Sequence, residues 1–395
     1  MAEQPLPGSF KLEYVKLGTD GNATDITGLV SEVNVYSSIM DSTNVMRFVV
    51  IDAVNLLGKL PVQGGIPIDT QITINSGTKR NYKLVITKVA AIQSLTTQRA
   101  YIIEAISELA FISQFSKISK AYKGTYNEIA LRIFQETTTE KYGIFDGSLG
   151  NKEVIIPNWS PLKALKWLAS KARDESKNVR FRFFQDSKGL YNFMPIETAV
   201  DLYKDKPAQT FALNTSIQRK QNSANDLPDT ARDMQTILAI DYKETFDITR
   251  ALRDGFLFGR NYNIDIENKN TEIVDYDYYK EHNKDSYLNE SFFYPANEYK
   301  PGIIRVNTDN ADIDVSQIKR SSVNGYNQAI SINVHGNQEI DIGQVVEIKI
   351  PEPTADNTKG NLDKVWSGKY FVVGKRDTFK DKQFMTSLDL VKDGL

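Results

Sequence analysis

The sequence predicts a β-rich α+β fold in which two related antiparallel β-barrels are joined by α/β connecting domains. Three observations lead to this prediction: short alternating segments at both ends of the chain, capped helical segments between them, and a weak internal echo between the two ends. The chain has 395 residues, which is enough for two to four domains with substantial cores.

Residues 1–106 are expected to form the first barrel. Six or so segments with period-2 alternation follow one another without a long helical pattern, which is typical of an antiparallel barrel or sandwich. Glycine-containing turns at residues 19–22, 63–65 and 76–78 separate several of them. The segments read SFKLEYVKL, ITGLVSEVNVY, NVMRFVVIDAV, IDTQITINS, YKLVITKVAAI and RAYIIEAIS.

Residues 107–205 are expected to form an α/β connecting domain. Thr125 and Glu128 have the spacing of a capping box in front of an apolar helical pattern. A second capped helix is predicted over residues 160–172. A hairpin over residues 179–196 is predicted to turn at the sequence DSKG.

The second helix follows a short apolar strand. Pro157 is expected to end the sheet pairing of that strand, because proline has no N–H to donate. Ser160 is a suitable N-cap, and the proline after it suits the first helical position. Trp159 and Trp167 are two of the chain's three tryptophans. We expect both to be packing anchors, and a buried Trp167 would cost about 3–5 kcal/mol on truncation to alanine.

Residues 206–243 and 318–395 are expected to form the second barrel, and residues 244–317 an inserted hairpin and loop region. The insertion contains a predicted short helix ending at Gly255, a hairpin pattern, and a long loop rich in Asp, Asn and Tyr. A further helix is predicted over residues 313–324.

The two β-rich ends share a pattern of branched apolar residues. The pattern recurs in GGIPIDTQITIN and QEIDIGQVVEIKI, and two further strand-like segments follow each copy. We interpret this echo as two related barrels in one chain. The matched pairs are Ile66 with Ile340, Ile68 with Ile342, Ile72 with Val346, and Ile74 with Ile348.

Composition argues against several functional classes. The chain has 48 basic and 50 acidic residues, a balance that argues against a free-standing nucleic-acid binder. It has no cysteine, so disulfides and thiolate chemistry are absent, which suits assembly in a reducing cytoplasm. The sequence shows neither a signal-peptide pattern nor an apolar run of about 18 residues, so we expect no membrane insertion by the protein itself.

The sequence contains no recognisable catalytic motif. His282 and His335 lie in a polar segment and in an expected turn, which are typical places for surface histidines. The acidic stretch TDNADIDV lacks the glycine and the closing glutamate of a calcium loop, and Asp275 and Asp277 are expected to face solvent from a strand. We therefore predict no enzyme, no catalytic residue, no cofactor and no metal site.

Several stretches, in order over nearly the whole chain, are similar to one known family. The first combines a D-A-x-N-L step at residues 52–56 with a Leu-Pro-x-x-Gly turn at residues 60–64. The others are ISKAYKGTYNEIALRIF, IIPNWSPLKALKWLASKARDE with FRFFQDSKGLYNFMPIE, and VHGNQEIDIGQVVEIKIPEP with SGKYFVVGKRDTFKDKQFMTSLDLVKDG. Together they resemble the phage baseplate central hub proteins of contractile tails. That family is related to siphophage tail-tip hubs and to the N-terminal part of type VI secretion spikes.

The resemblance implies a structural hub of a phage tail baseplate. It implies a homotrimer whose six tube-like barrels form a pseudo-six-fold ring, which adapts a six-fold tail tube to a three-fold spike. The implied partners are the spike protein and the tail tube or tube-initiator protein, with the tape measure protein and the baseplate wedge as further contacts. DNA would only pass through the lumen. The implied location is the virion tail baseplate, after assembly in the host bacterial cytoplasm.

Two alternatives stay open. One is a β-rich glycan-binding or glycan-cleaving tail protein, because any two of the many carboxylates could converge on a sugar. The other is the N-terminal module of a secretion-system spike. The sequence ends soon after the last predicted strand, which favours a stand-alone hub with the spike as a separate protein.

Overall fold

The computed structural model describes most of the chain. The described residues are 8–18, 21–59, 64–74, 77–94, 97–176, 178, 180–203, 205–213, 234–244, 249, 258–265, 269–277, 303–307, 328–336, 339–353 and 361–392. Strands dominate these ranges and the helices are short, so the predicted β-rich α+β class is confirmed.

The first part of the chain forms a series of strands with alternating burial. The buried face of every strand except the two-residue β2 contributes to one apolar core, as period-2 alternation requires. A 3-10 turn at Thr27–Leu29 and a short helix, α1 (Leu56–Lys59), interrupt the series. The strands are β1 (Phe10–Leu17), β2 (Thr24–Asp25), β3 (Val30–Ser38), β4 (Val45–Asp52), β5 (Pro67–Ile74), β6 (Thr78–Ser94) and β7 (Arg99–Ile106).

Helices and short strands alternate in the next hundred residues, which form the connecting layer. The capping box is confirmed, because the Glu128 carboxylate accepts the Thr125 backbone N–H at 2.9 Å. The second predicted helix and the hairpin are present, and Ser160 occupies the N-cap position, although its side chain makes no capping hydrogen bond. The elements are α2 (Glu108–Phe115), β8 (Ile118–Gly124), α3 (Tyr126–Thr137), β9 (Tyr142–Phe145), β10 (Lys152–Trp159), α4 (Pro161–Lys171), β11 (Phe181–Gln185), β12 (Tyr191–Pro195) and α5 (Ile196–Tyr203).

Pro157 does not end the pairing of β10, so that prediction was wrong. Pro157 lies opposite Ser119 of β8, and the strand continues through a bulge to Trp159. β10 pairs only with β8 among the described strands, so a proline without an N–H is tolerated when its nitrogen faces the open edge. Asn158 adopts a left-handed φ of 55° at the bulge.

The two tryptophans of this layer lie against each other at the margin of its core. The rings of Trp159 and Trp167 make an edge-to-face contact with centroids 5.5 Å apart, and both are half-buried. They pack against the core as expected, but truncation of Trp167 should cost less than the truncation of a fully buried ring.

The last part of the chain returns to strands. The bounds are β13 (Gln209–Leu213), β14 (Thr236–Glu244), β15 (Phe258–Asp265), β16 (Asn270–Asp277), β17 (Ile303–Asn307), β18 (Gln328–His335), β19 (Val345–Lys349), β20 (Gly368–Lys380) and β21 (Gln383–Lys392). β15, β16 and β17 form a separate three-stranded sheet, and the others join the main sheet.

The main sheet contains the same strand order twice. The first set is ordered β1-β5-β6-β7-β4-β3, and the second is ordered β13-β19-β20-β21-β18-β14. Taken along the chain, each strand of one set has a counterpart at the same place in the other, but β1 is antiparallel to β5 whereas β13 is parallel to β19. We call these sets the first and second repeat. The second repeat closes into a six-stranded barrel, because β13 pairs with both β14 and β19.

The long hairpin of β20 and β21 belongs to both repeats. The start of β20 pairs with β19 of the second repeat, whereas residues 374–380 pair with β3 of the first. Phe379 and Phe384, near the hairpin end, are buried in the first core, and Phe371 and Leu390 are buried in the second. The division into domains at residues 106, 205, 243 and 317 stays a prediction. This hairpin belongs to the predicted second barrel by sequence, yet its end packs in the core of the first.

Several predictions fall outside the described residues. These are the helix ending at Gly255, the helix over residues 313–324, the long polar loop, the acidic stretch TDNADIDV and His282. Among the residues that are described, none belongs to a helix long and apolar enough to span a membrane.

Candidate assembly surface

Backbone hydrogen bonds fix the correspondence between the two repeats. The N–H of Gly65 donates to Ile86 and that of Gly343 to Val372, and both acceptor residues return a bond one position further on. Both glycines have positive φ, 91° and 83°. Gly65 therefore corresponds to Gly343, and by the same alignment of the two repeats Ile68 corresponds to Val346.

The alignment of the two repeats that was predicted from the sequence differs from the structural correspondence by four residues. It matched Ile72 with Val346, whereas the hydrogen bonds match Ile68 with Val346. The error preserved the face of each strand, because a shift by an even number of residues leaves every side chain on the same side of the sheet. An alternating pattern therefore identifies the buried face and cannot fix the register.

Two irregularities of the sheet recur at equivalent places, whereas the bulges between Ala90 and Gln93 and between Tyr242 and Glu244 do not. A bulge lies between Ile86 and Lys88 in β6, and the matching bulge lies between Val372 and Gly374 in β20. Another lies at the start of β3 and again at the start of β14. Bulges are specific features of a strand, so their recurrence supports a true structural repeat.

The two repeats share one uninterrupted outer sheet surface. Eight strands, in the order β14-β18-β21-β20-β3-β4-β7-β6, pair antiparallel from one end to the other. We call the outward side of these strands the shared face. One register row across it contains His335, Met385, Thr378, Asn34, Arg47, Glu104 and Lys88.

Polar contacts on the shared face join the repeats at the border of β20 and β3. The Asn34 Oδ1 atom accepts bonds from the Arg376 guanidinium, at 2.8 and 3.0 Å, and from the Thr378 hydroxyl at 2.9 Å. The Tyr36 ring lies between Arg47 and Arg376, each 5.3 Å from its centroid. The border therefore has side-chain contacts in addition to the backbone ladder.

Equivalent carboxylates neutralise cations on the two halves of the shared face. Glu104 pairs with Arg47 at 3.0 Å and with Lys88 at 3.1 Å. Its counterpart Asp389 accepts from Lys243 at 2.6 Å and also from Ser331. Burial raises the pKa of Asp389, but the bonds from Lys243 and Ser331 outweigh that effect and hold the pKa below its ordinary value. The shared face thus carries paired charges of both signs.

A buried ionic junction lies behind the shared face, between the two apolar cores. The Asp377 carboxylate accepts from the Arg80 guanidinium at 2.9 Å and from the Thr386 hydroxyl at 2.8 Å. The Lys375 ammonium lies 3.3 Å from the same carboxylate and donates to the Ile340 carbonyl at 2.7 Å. Burial lowers the pKa of Lys375, and Asp377 opposes that effect. The junction links β6, β20, β21 and the loop before β19.

Both ends of the shared face have strand edges that no described strand covers. β6 pairs with β5 up to Val85 and afterwards only with β7. β14 pairs with β13 at Thr236 and Ile237 and afterwards only with β18. The uncovered edges run over residues 88–94 and 238–244. Uncovered edges of this length are templates for pairing with another strand.

The residues singled out from sequence lie apart from this surface or at its margin. His335 is the last residue of β18 and not part of a turn, so that expectation was wrong. Asp275 is exposed on β16, as expected, and pairs with Arg260 at 2.6 Å. Within the described ranges, no group of three or more His, Cys, Asp or Glu side chains is arranged to hold a metal ion.

Comparison with solved structures identifies the fold. The tail protein from Neisseria meningitidis MC58 matches with a TM-score of 0.59 at 12% identity, over 98% of this chain and 97% of that one. The chain has the fold of phage tail proteins. The 43 kDa tail protein of prophage MuSo2 from Shewanella oneidensis also gives a TM-score of 0.59, at 11% identity, over 96% of this chain and 98% of that one. No protein-family model and no curated protein matches the sequence.

Proposed function

We propose that the protein is the central hub of a phage tail baseplate and acts as a homotrimer. The observation that supports this most is the contact between β20 and β3. Within one chain, residues 374–380 of the second repeat pair with β3 of the first. By the correspondence of the repeats, residues 88–94 of β6 are the counterpart of residues 374–379, with one extra residue at the bulge between Ala90 and Gln93, and β14 is the counterpart of β3.

The same contact can therefore be made between copies. The uncovered edge of β6 in one chain would pair with the uncovered edge of β14 in the next. Such a head-to-tail contact forms a ring when the rotation closes. Three chains with two repeats each would give six similar units, so a ring with three-fold symmetry would present a nearly six-fold surface.

This arrangement suits the partners of a hub. A six-fold tail tube or tube-initiator protein would bind the repeats on one side, and a three-fold spike would bind the chain on the other. The shared faces of three copies would line a channel for DNA. Because ion pairs such as Arg47–Glu104 neutralise cations on this face, DNA would not be held there by unpaired phosphate contacts. The role is structural and the location is the virion tail baseplate.

Engineered disulfides test the proposed contact directly, because the chain contains no cysteine. Thr378 lies opposite Asn34, and when the correspondence is traced through the adjoining strands β7 and β18, this pair becomes Gln93 of one copy opposite Asp241 of the next. Directly opposed residues of antiparallel strands are close enough for a disulfide. We expect oxidised Gln93→Cys/Asp241→Cys protein to form covalent trimers and no larger species.

The matched controls are the two single-cysteine variants, which place only one cysteine at each contact and should therefore form no disulfide across it. Light scattering of the unmodified protein provides an independent mass. A monomeric mass at high concentration, together with no cross-linking of the double variant, would refute the trimer. A trimeric mass without cross-linking would refute only the assigned strand contact.

A further inference from the structure

The three charged residues of the buried ionic junction have apolar counterparts near the uncovered edges of β6 and β14. Within the chain, Arg80 of the first repeat donates to Asp377 of the β20–β21 hairpin at 2.9 Å, and Lys375 lies 3.3 Å from the same carboxylate. The correspondence of the repeats assigns a residue of β6, or of the segment before β20, to each of these three places.

Val89 takes the place of Lys375. The pairing of β6 with β7 is equivalent to that of β20 with β21, and in these pairings Val89 lies opposite Ile103 whereas Lys375 lies opposite Leu388. Val89 is partly buried and packs against the first core. A buried ammonium group within the chain therefore corresponds to an aliphatic side chain on the strand with the uncovered edge.

Ala91 and Ile92 together take the place of Asp377, because β6 has one extra residue at its bulge. The next residue, Gln93, is equivalent to Thr378 on the shared face. Successive side chains of a strand point to opposite sides of the sheet, so Ile92 lies behind the shared face, as Asp377 does. Ile92 is 56% exposed in the single chain, which is unusual for a large aliphatic residue on a strand.

Trp366 takes the place of Arg80. Tyr82 and Gly368 are equivalent in the pairings with β5 and β19, and Arg80 and Trp366 each lie two residues earlier in the chain. Trp366 is partly buried and packs against the second core. An aromatic ring of the second repeat therefore occupies the position from which the Arg80 guanidinium reaches the hairpin in the first repeat.

The contact between Tyr242 and Trp366 supports this assignment in space. Val35 of β3 lies opposite Asp377, and the counterpart of Val35 in β14 is Tyr242. The Tyr242 and Trp366 rings make an edge-to-face contact with centroids 4.5 Å apart. Trp366 thus lies beside the strand position that residues 91–92 of a neighbouring copy would face, and Tyr242 is 43% exposed there.

We propose that Ile92 of one copy packs against Trp366 and Tyr242 of the next, so that an apolar contact closes the border between copies. This inference rests on the proposed trimer and names the side chains that hold it together. Burial of apolar surface favours the association of two copies, whereas charges on separate copies would first have to lose their hydration. The border within the chain is therefore ionic, and the equivalent border between copies is apolar.

The mass of the protein over a range of concentrations, measured by light scattering, tests this contact. Ile92→Asp should raise the concentration at which half of the chains are trimeric about tenfold or more, because it places a charge against two rings. The melting temperature of its monomer should stay unchanged, since Ile92 is exposed. Ile155→Asp is the matched control, because Ile155 is 74% exposed in the connecting layer and its substitution should leave assembly unchanged.

A double variant rebuilds the ionic contact at the border between copies. Ile92→Asp combined with Trp366→Arg reproduces there the pair that Asp377 and Arg80 form within the chain. We expect this variant to assemble at lower concentration than Ile92→Asp in low salt, and to dissociate as sodium chloride is raised to about 1 M. The unmodified protein should stay trimeric over the same range, and thermal unfolding establishes that the double variant is folded.

The outcomes separate the contact from the trimer. A trimeric unmodified protein whose Ile92→Asp variant assembles at the same concentration would overturn the contact and leave the trimer intact. An unmodified protein that is monomeric at high concentration would overturn both. A folded double variant that assembles no better than Ile92→Asp would overturn the equivalence of Trp366 with Arg80, and the proposed contact with it.

Discussion

The first and second repeats have the same strand order and are completed in different ways. The second closes as a barrel because β13 lies parallel to both β14 and β19, with Phe211 fully buried inside. In the first, β1 does not pair with β3. Its ring is completed by the end of the β20–β21 hairpin, through a bridge between Ser9 and Gln383 and the bond from Phe384 to Gly8.

This difference shows that one strand order can be closed locally, by a first strand that runs parallel to its neighbours, or by a distant segment. Two aromatic residues in the core of the first repeat, Phe379 and Phe384, come from the β20–β21 hairpin. Its folding therefore depends on residues that lie far along the chain from its own strands. The second repeat supplies its own closing strand, so its stability should depend much less on the first.

The largest expected effect concerns Phe379 and Phe384, the aromatic residues that the β20–β21 hairpin contributes to the first core. Phe384→Ala should cost about 3–5 kcal/mol, because the ring is fully buried and stacks on Phe379 at 4.6 Å. We expect the loss in the first repeat, as measured by hydrogen exchange of β1 and β5. Met385→Ala, on the exposed side of the same strand, is the control. Equal losses of protection in β13 and β5 would contradict local closure of the second repeat.

The next effect concerns the ionic junction between the cores. Asp377→Asn leaves Arg80 and Lys375 buried without their carboxylate, which should cost about 3 kcal/mol in urea unfolding. Because the junction links the repeats, we also expect the single unfolding transition to separate into two. Arg47→Met removes an exposed pair and should cost about 1 kcal/mol or less. An unchanged midpoint and slope for Asp377→Asn would show that the junction does not couple the cores.

A smaller effect compares equivalent positions directly. Gly65→Ala and Gly343→Ala should each cost about 1–2 kcal/mol, because both need positive φ while the nearest atoms to an added Cβ lie 3.8 Å or more away. Similar losses in thermal unfolding would support the correspondence. Gly28→Ala, with open space and no positive φ, should be nearly neutral. A twofold or larger difference between the first two would show that the turns are not equivalent.

The smallest effect should come from pH and arise in the connecting layer rather than in either repeat. Burial raises the pKa of Glu140, although its carboxylate accepts the N–H of Leu109 at 2.9 Å. A raised folded pKa means that stability is complete below the ordinary value of about 4.3 and is lost as pH rises through the folded value. Glu140→Gln should therefore gain stability relative to the unmodified protein between about pH 4 and pH 7.

Urea unfolding at the two pH values measures this gain. Glu153→Gln is the control, because its carboxylate is exposed and paired with Lys123. A relative loss of stability for Glu140→Gln at the higher pH would contradict the direction of the shift.

Local features of the fold could be predicted from the sequence. Alternation placed the buried faces of the strands correctly, and the Thr125–Glu128 spacing marked the start of a helix. The same local arguments failed at Pro157, because only the pairing partners show that β10 has an open edge. The predicted absence of catalytic, cofactor and metal residues stays a prediction.

The amino-acid pattern was sufficient for the class of fold, the position of many elements and the presence of a repeat, because these depend on neighbours within a few residues. The register of the repeat, the shared hairpin and the uncovered edges depend on the folded chain. Arg80 and Asp377 are 297 positions apart, and Asn34 and Thr378 are 344 apart. No local pattern specifies such pairs, because their contact arises only when the two repeats join in one sheet.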